Sequence, residues 1–274
     1  PIIHSLFVNL YRKSHRINMK LFFRTIGEGT PLIILHGLWG ASENWLPIAH
    51  LLEDKFQVIL PDVRNHGQSP HDENYEVMSN DVIELVENLK LPVRPHIVGH
   101  SMGGKIVMAL LLKRPELVNK AVVVDIAPVS YSQRDGGSHN RIIDFMANFD
   151  LSRLHSREEV KEAIQQHFRT ERSQQLFLKN IKKTSFGFEW KINHRVISKH
   201  FDEISGCPSS LPNNTYDKEI LFIKGEQSNL ITGLECLQKE FPAARLVELP
   251  QCGHWIHSEQ PEKLAQAIKN FLAV

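Results

Sequence analysis

The sequence predicts an α/β fold in which a mostly parallel central sheet is flanked by helices and interrupted by a mainly helical lid insertion. Three observations lead there. Short β-like runs alternate with helix-length amphipathic patterns, several of those runs are apolar throughout, and one long gap breaks the alternation.

The β-like runs fall at 21–26, 32–35, 56–60, 96–98, 121–126, 220–224 and 246–249. Continuous apolar character is what a strand covered on both faces of a parallel sheet requires. Between them, Met78, Val82, Leu85, Val86 and Leu89 recur at helical spacing, as do Leu264, Ile268, Phe271 and Leu272 near the end. The gap lies between Ile126 and Ile220 and holds amphipathic stretches around 141–149, 158–168 and 174–182. A loop of that length without structure is improbable inside a compact domain, so the gap reads as an inserted lid over the strand ends. The expected organisation is an extension at 1–18, core at 19–127, lid at 128–218 and core again at 219–274. Pro1 is no initiator, and Met19 is a candidate native start.

Composition narrows the function. Of 274 residues, 42% are apolar and 23% charged, which excludes disorder over most of the chain. A net charge of +1 supplies no broad basic field for nucleic acid or an anionic membrane. No apolar run approaches the roughly 18–20 residues of a membrane-spanning helix. Cys207, Cys236 and Cys252 are too few for a disulfide framework and fit a reducing, cytoplasmic setting. No H-E-x-x-H, paired C-x-x-C or lysine-bearing phosphate loop occurs, so no metal or other cofactor is implied.

Chemistry concentrates at three places. Gly99-His100-Ser101-Met102-Gly103 stands between an apolar run and a helical pattern, the context of a tight strand-to-helix elbow that presents a serine nucleophile. The N–H of Met102 then opens a helix and points toward charge developing on a bound carbonyl. His36-Gly37-Leu38-Trp39-Gly40 follows an earlier strand, where Leu38 is the expected second oxyanion donor. Cys252-Gly253-His254-Trp255 follows the last strand. Among 15 histidines, His254 alone combines that position with a flanking glycine, and it is the expected general base. His36 and His66 sit in glycine turns, His100 is expected to point away from the elbow, and His257 lies beside a helix start. Cys252 reads as a small buried apolar residue.

Together with Asp62-Val63-Arg64-Asn65-His66-Gly67-Gln68-Ser69, these motifs resemble the α/β-hydrolase superfamily from about Met19 to Val274. Val63-Arg64-Asn65-His66-Gly67, Gly99-His100-Ser101-Met102-Gly103-Gly104-Lys105 and Val124-Asp125-Ile126-Ala127-Pro128 are similar to one branch of it. That branch comprises small intracellular bacterial carboxylesterases and acyl-CoA thioesterases, with a mitochondrial relative in animals. The resemblance implies an α/β-hydrolase fold and hydrolysis of short- to medium-chain esters or acyl thioesters through an acyl-enzyme. A serine at the elbow excludes the dehalogenase and epoxide-hydrolase chemistry that needs an aspartate there.

The triad acid has two candidates. In most of the superfamily it lies just after the penultimate strand, within Gly225-Glu226-Gln227-Ser228-Asn229, where Ser228 stands at the usual aspartate position. In the resembling branch the preceding strand supplies it, which matches Asp125. Either strand end can deliver a carboxylate to the histidine, so Asp125 is the first choice and Glu226 stays open.

Asp62 and Arg64 are expected to brace the loop around Gly67. Phe186, Phe188 and Trp190 recur at every second residue, as on a short strand, and either pack the insertion or line an acyl pocket. With Trp39 and Trp255 they form the candidate substrate-binding set. The expected partner is a small-molecule ester or thioester, with the chain a monomer or small homo-oligomer. Perhydrolysis, carbon–carbon bond hydrolysis or lyase chemistry could use the same constellation, and a non-catalytic small-molecule receptor is the reading from outside enzymology.

Overall fold

The computed structural model describes residues 19–73, 78–131, 138–207 and 215–272. The expected extension at 1–18 lies outside them. Strands β1 (Phe23–Ile26), β2 (Thr30–Leu35), β3 (Phe56–Pro61), β4 (His96–His100), β5 (Ala121–Val124), β8 (Ile220–Gly225) and β9 (Ala244–Leu249) form one sheet. Its order is β1-β3-β2-β4-β5-β8-β9. Only β1 runs antiparallel, pairing Phe23 with Pro61, while every other neighbour in this sheet is parallel. The seven β-like runs of the sequence fall on these seven strands.

Alternation along each strand splits the core in two. Leu32, Ile34, Val58, Leu60, Val122, Val124, Leu221 and Ile223 face α1 (Leu46–Leu52) and α9 (Pro261–Leu272), through Ile48, Leu52, Leu264 and Ile268. Ile33, Leu35, Ile59, Ile97, Val123 and Phe222 belong to the opposite layer, with α2 (Met78–Leu89) and α3 (Met102–Lys113). In the five central strands β2, β3, β4, β5 and β8 nearly every position is therefore dry, which is why those runs lack a polar alternate, whereas the edge strands β1 and β9 stay partly exposed. As expected, Arg64 and Asp62 brace the loop after β3. Arg64 pairs through two nitrogens with Asp81, and the Asp62 carboxylate accepts from the amides of Ser42 and Gln68.

Between β5 and β8 the chain builds α4 (Ser138–Asn148), α5 (Arg157–His167), α6 (Glu171–Lys179), the hairpin β6 (Ile181–Thr184) and β7 (Gly187–Trp190), α7 (His194–Lys199) and α8 (Phe201–Ser205). This is the mainly helical insertion expected, with a hairpin where one short strand was foreseen. Strand β6 escaped notice because only Ile181 of its four residues is buried. Thr170 and Ser156 cap α6 and α5 through their hydroxyls. The apolar core of the insertion, including Phe177, Ile164 and Phe188, is continuous with the α2–α3 layer.

Both ends of the insertion are tied to helix α3. The Lys105 ammonium donates to the carbonyls of Val129 and Ser205, each at 2.7 Å, and to that of Gly206. Burial pushes this ammonium down to about 8.

Candidate active site

Ser101, Asp125 and His254 all sit at the C-terminal edge of the sheet, after β4, β5 and β9 respectively. Ser101 occupies the elbow with φ 54°, a left-handed conformation that a non-glycine residue holds only when its surroundings impose it. Two glycines make the turn feasible. A Cβ on Gly99 would lie 2.3 Å from the Gly103 carbonyl oxygen, and one on Gly103 would lie 2.4 Å from that of Leu35. The Ser101 amide donates to Val124 O, locking the elbow to the adjacent strand.

Asp125 is fully buried and also left-handed, with φ 53°. Its carboxylate accepts three hydrogen bonds: from the amide of Gly225 at 3.1 Å, the hydroxyl of Ser228 at 2.5 Å and His254 Nδ1 at 2.8 Å. Glu226 does not take part. Its Oε2 accepts from the Gln251 amide on the exposed side of the loop. The two candidate acids are thereby separated, and Asp125 is the one that reaches the imidazole.

His254 is held from behind. His100 donates through Nε2 to the His254 carbonyl at 2.8 Å, and the two rings lie 4.7 Å apart. His100 thus packs against His254 rather than pointing away from it, and it is the residue directly before Ser101. Burial, then the neighbouring His254 and His257, hold its imidazole well below the usual range, so it stays neutral. The Gly253 amide donates to Glu259 Oε2 at 2.6 Å, and Glu259 also pairs with Arg172 of the insertion.

The amides of Leu38 and Met102 donate no hydrogen bond to any described group. Met102 opens α3, where the first amides have no partner within the helix. Leu38 lies in a turn closed by Gly40 N–H to Gly37 O at 3.0 Å. His36 secures the same carbonyl. Its Nε2 accepts from the Val63 amide, which leaves Nδ1 to donate to Gly37 O at 2.9 Å.

The five aromatics expected to bind substrate separate. Phe186 stands 86% exposed on the turn of the β6–β7 hairpin. Phe188 and Trp190 point back into the insertion and border a groove of about 640 Å³ whose walls include none of Ser101, Asp125 or His254. Alternation along a hairpin fixes the faces of these side chains, whereas where the hairpin docks is a matter of the whole insertion. The Trp39 indole is buried, donating to His139 Nδ1 at 2.9 Å, so it works as a strut. Trp255 packs edge-on to His254 at 5.8 Å, beneath the Arg172 guanidinium. Among the described residues no three His, Cys, Asp or Glu side chains are grouped as metal ligands.

A family profile for the alpha/beta hydrolase fold matches residues 30–261. The chain belongs to the α/β-hydrolase family. Within it, the chain is 32% identical to the sn-1-specific diacylglycerol lipase ABHD11 of Danio rerio over 90% of this chain and 79% of the relative. It is also 32% identical to esterase YbfF of Escherichia coli, over 89% and 94% of the two chains. Among solved structures, a marine microorganism esterase superposes with a TM-score of 0.87 at 37% identity, covering 93% of this chain and all of that one. This α/β-hydrolase resembles bacterial esterases, as its motifs led us to expect.

Proposed function

We propose that this chain is a serine esterase that cleaves carboxylic esters by acyl transfer. The observation that carries the reading is the 2.8 Å bond from His254 Nδ1 to a fully buried Asp125, beside a serine held at φ 54°. With Nδ1 committed to Asp125, Nε2 is the nitrogen left to take a proton. The resting Ser101 hydroxyl has no partner among the described residues, so this transfer awaits the closer approach that bound substrate brings.

As Ser101 Oγ attacks the acyl carbon, its proton passes to His254 and the carbonyl oxygen gains negative charge. The amides of Leu38 and Met102 receive that oxyanion, each worth on the order of 3 kcal/mol when aligned. His254 then protonates the departing alcohol or thiol, and water repeats the sequence to free the acid. Relatives named as esterases and as a diacylglycerol lipase support ester substrates. Acyl thioesters are the second substrate class of the proposal. A cytoplasmic setting and a monomer or small homo-oligomer complete it, the former supported by three cysteines that form no disulfide among the described residues. Among the described residues no helix is long and apolar enough to cross a membrane.

Turnover of p-nitrophenyl butyrate that disappears in Ser101→Ala, with fluorophosphonate labelling confined to Ser101, is the expected result. Full activity in that variant overturns the proposal. A rate series over acyl length, run for esters and CoA thioesters, assigns the preferred class.

A further inference from the structure

The oxyanion turn is not secured by the sheet alone. Trp39, its third residue, has φ 65°, a conformation that a bulky aromatic side chain disfavours and that turns usually assign to glycine or asparagine. Something must hold it there, and both grips come from the insertion. The indole donates to His139 of α4. The Trp39 carbonyl accepts from Asn180 Nδ2 at 2.7 Å, across 141 residues of chain.

Asn180 is itself fixed. It ends α6 and is buried. Its second Nδ2 hydrogen goes to Leu176 O at 2.8 Å, and its own carbonyl accepts from the Lys191 amide at 2.7 Å. Two carbonyl acceptors on one side determine which end of the side-chain amide lies there. The chain of constraint then runs through backbone. Asn180 holds the residue before Gly40, whose N–H closes the turn on Gly37 O. Gly37 O and the Leu38 N–H are opposite edges of one planar peptide, so fixing the first aims the second.

We propose that Asn180 is a positioning residue for the oxyanion hole, acting from the lid through Trp39 to orient the Leu38 N–H. The inference rests on the esterase reading above and deepens it: the lid completes the catalytic machinery as well as covering it. A side chain that merely ends α6 would support stability with no influence on carbonyl polarisation.

The test compares p-nitrophenyl butyrate with its thiono analogue, in which C=S replaces C=O and hydrogen bonds from the oxyanion hole count for less. The ratio of kcat/KM for the two substrates is independent of how much of a preparation is folded. Wild type, Asn180→Ala and Asn180→Asp are measured together, the last keeping the shape while replacing the donor. The expected result is an oxo-to-thiono ratio about tenfold lower in both variants, with KM changed less than about twofold. An unchanged ratio in active variants overturns the role of Asn180, even if total activity falls. Absence of turnover by the wild-type protein overturns the esterase reading instead, and this inference with it.

Discussion

Ser228 Oγ lies 2.5 Å from Asp125 Oδ2, the same oxygen that accepts the His254 Nδ1–H. At the position where most of the superfamily carries its acid, this chain has a donor to the carboxylate of Asp125, which follows the neighbouring strand. With the Gly225 amide on the other oxygen, the carboxylate is satisfied throughout despite complete burial.

Removing that donor weakens the hold on the carboxylate without removing its charge. Ser228→Ala is expected to lower kcat roughly tenfold, with KM nearly unchanged. Asp125→Asn is expected to lower it about 10³- to 10⁴-fold, because the imidazole loses both its tautomer lock and the partner for its charge. Adding Ser228→Asp to Asp125→Asn returns a carboxylate from the loop after β8 and recovers at least about tenfold of the loss. Steady-state kinetics on p-nitrophenyl butyrate measure all three.

Glu226 provides the contrast. Its contact with the Gln251 amide braces the exposed side of the same loop. Glu226→Gln is expected to stay within about twofold of wild type, since loss of an exposed contact is worth under about 1 kcal/mol. A loss comparable with that of Asp125→Asn would mean that Glu226 serves as the acid.

Lys105→Met leaves the carbonyls of Val129, Ser205 and Gly206 without their shared donor. The bonds are partly buried and the Ser205 carbonyl keeps the Tyr131 amide, so the loss is roughly 1–2 kcal/mol. Hydrogen exchange is expected to rise first around residues 129 and 205–206, before the sheet opens. Uniform loss of protection throughout the chain would contradict a clamp local to the lid.

Acid sensitivity follows from the buried imidazoles. Burial above all pushes His66 and His257 down to about 3, and each has a ring nitrogen without a partner among the described residues. Between pH 6.5 and about 3 the unfolded chain binds protons that the folded chain refuses, so stability is full above 6.5 and falls as pH drops. At pH 5 each group costs about 2 kcal/mol. Urea midpoints measured from pH 7.5 to 5 should fall accordingly, and His66→Gln should flatten that slope. An equal slope in the variant would assign the loss to other groups.

How much of this was legible depends on the distance over which each feature is encoded. The central strands could be read because burial on both faces leaves a run such as Ala121, Val122, Val123 and Val124 wholly apolar. The elbow could be read because Gly99 and Gly103 sit where any Cβ would strike backbone. The roles of Phe186, Phe188 and Trp190 could not, since their spacing states the face of a strand and says nothing of what that face meets. Asn180 fell unremarked within the amphipathic stretch at 174–182, and nothing within a few residues marks its contact with Trp39.

The sequence by itself determined the layers, the turn that strains Ser101, and the loops that carry Ser101 and His254. Those features arise from backbone sterics and hydrophobic periodicity within a handful of neighbouring residues. Only the tertiary structure decided which carboxylate meets the imidazole, 129 residues away along the chain, and which lid side chain grips the oxyanion turn. Such meetings depend on strand order and on how the insertion docks, which are properties of the packed whole.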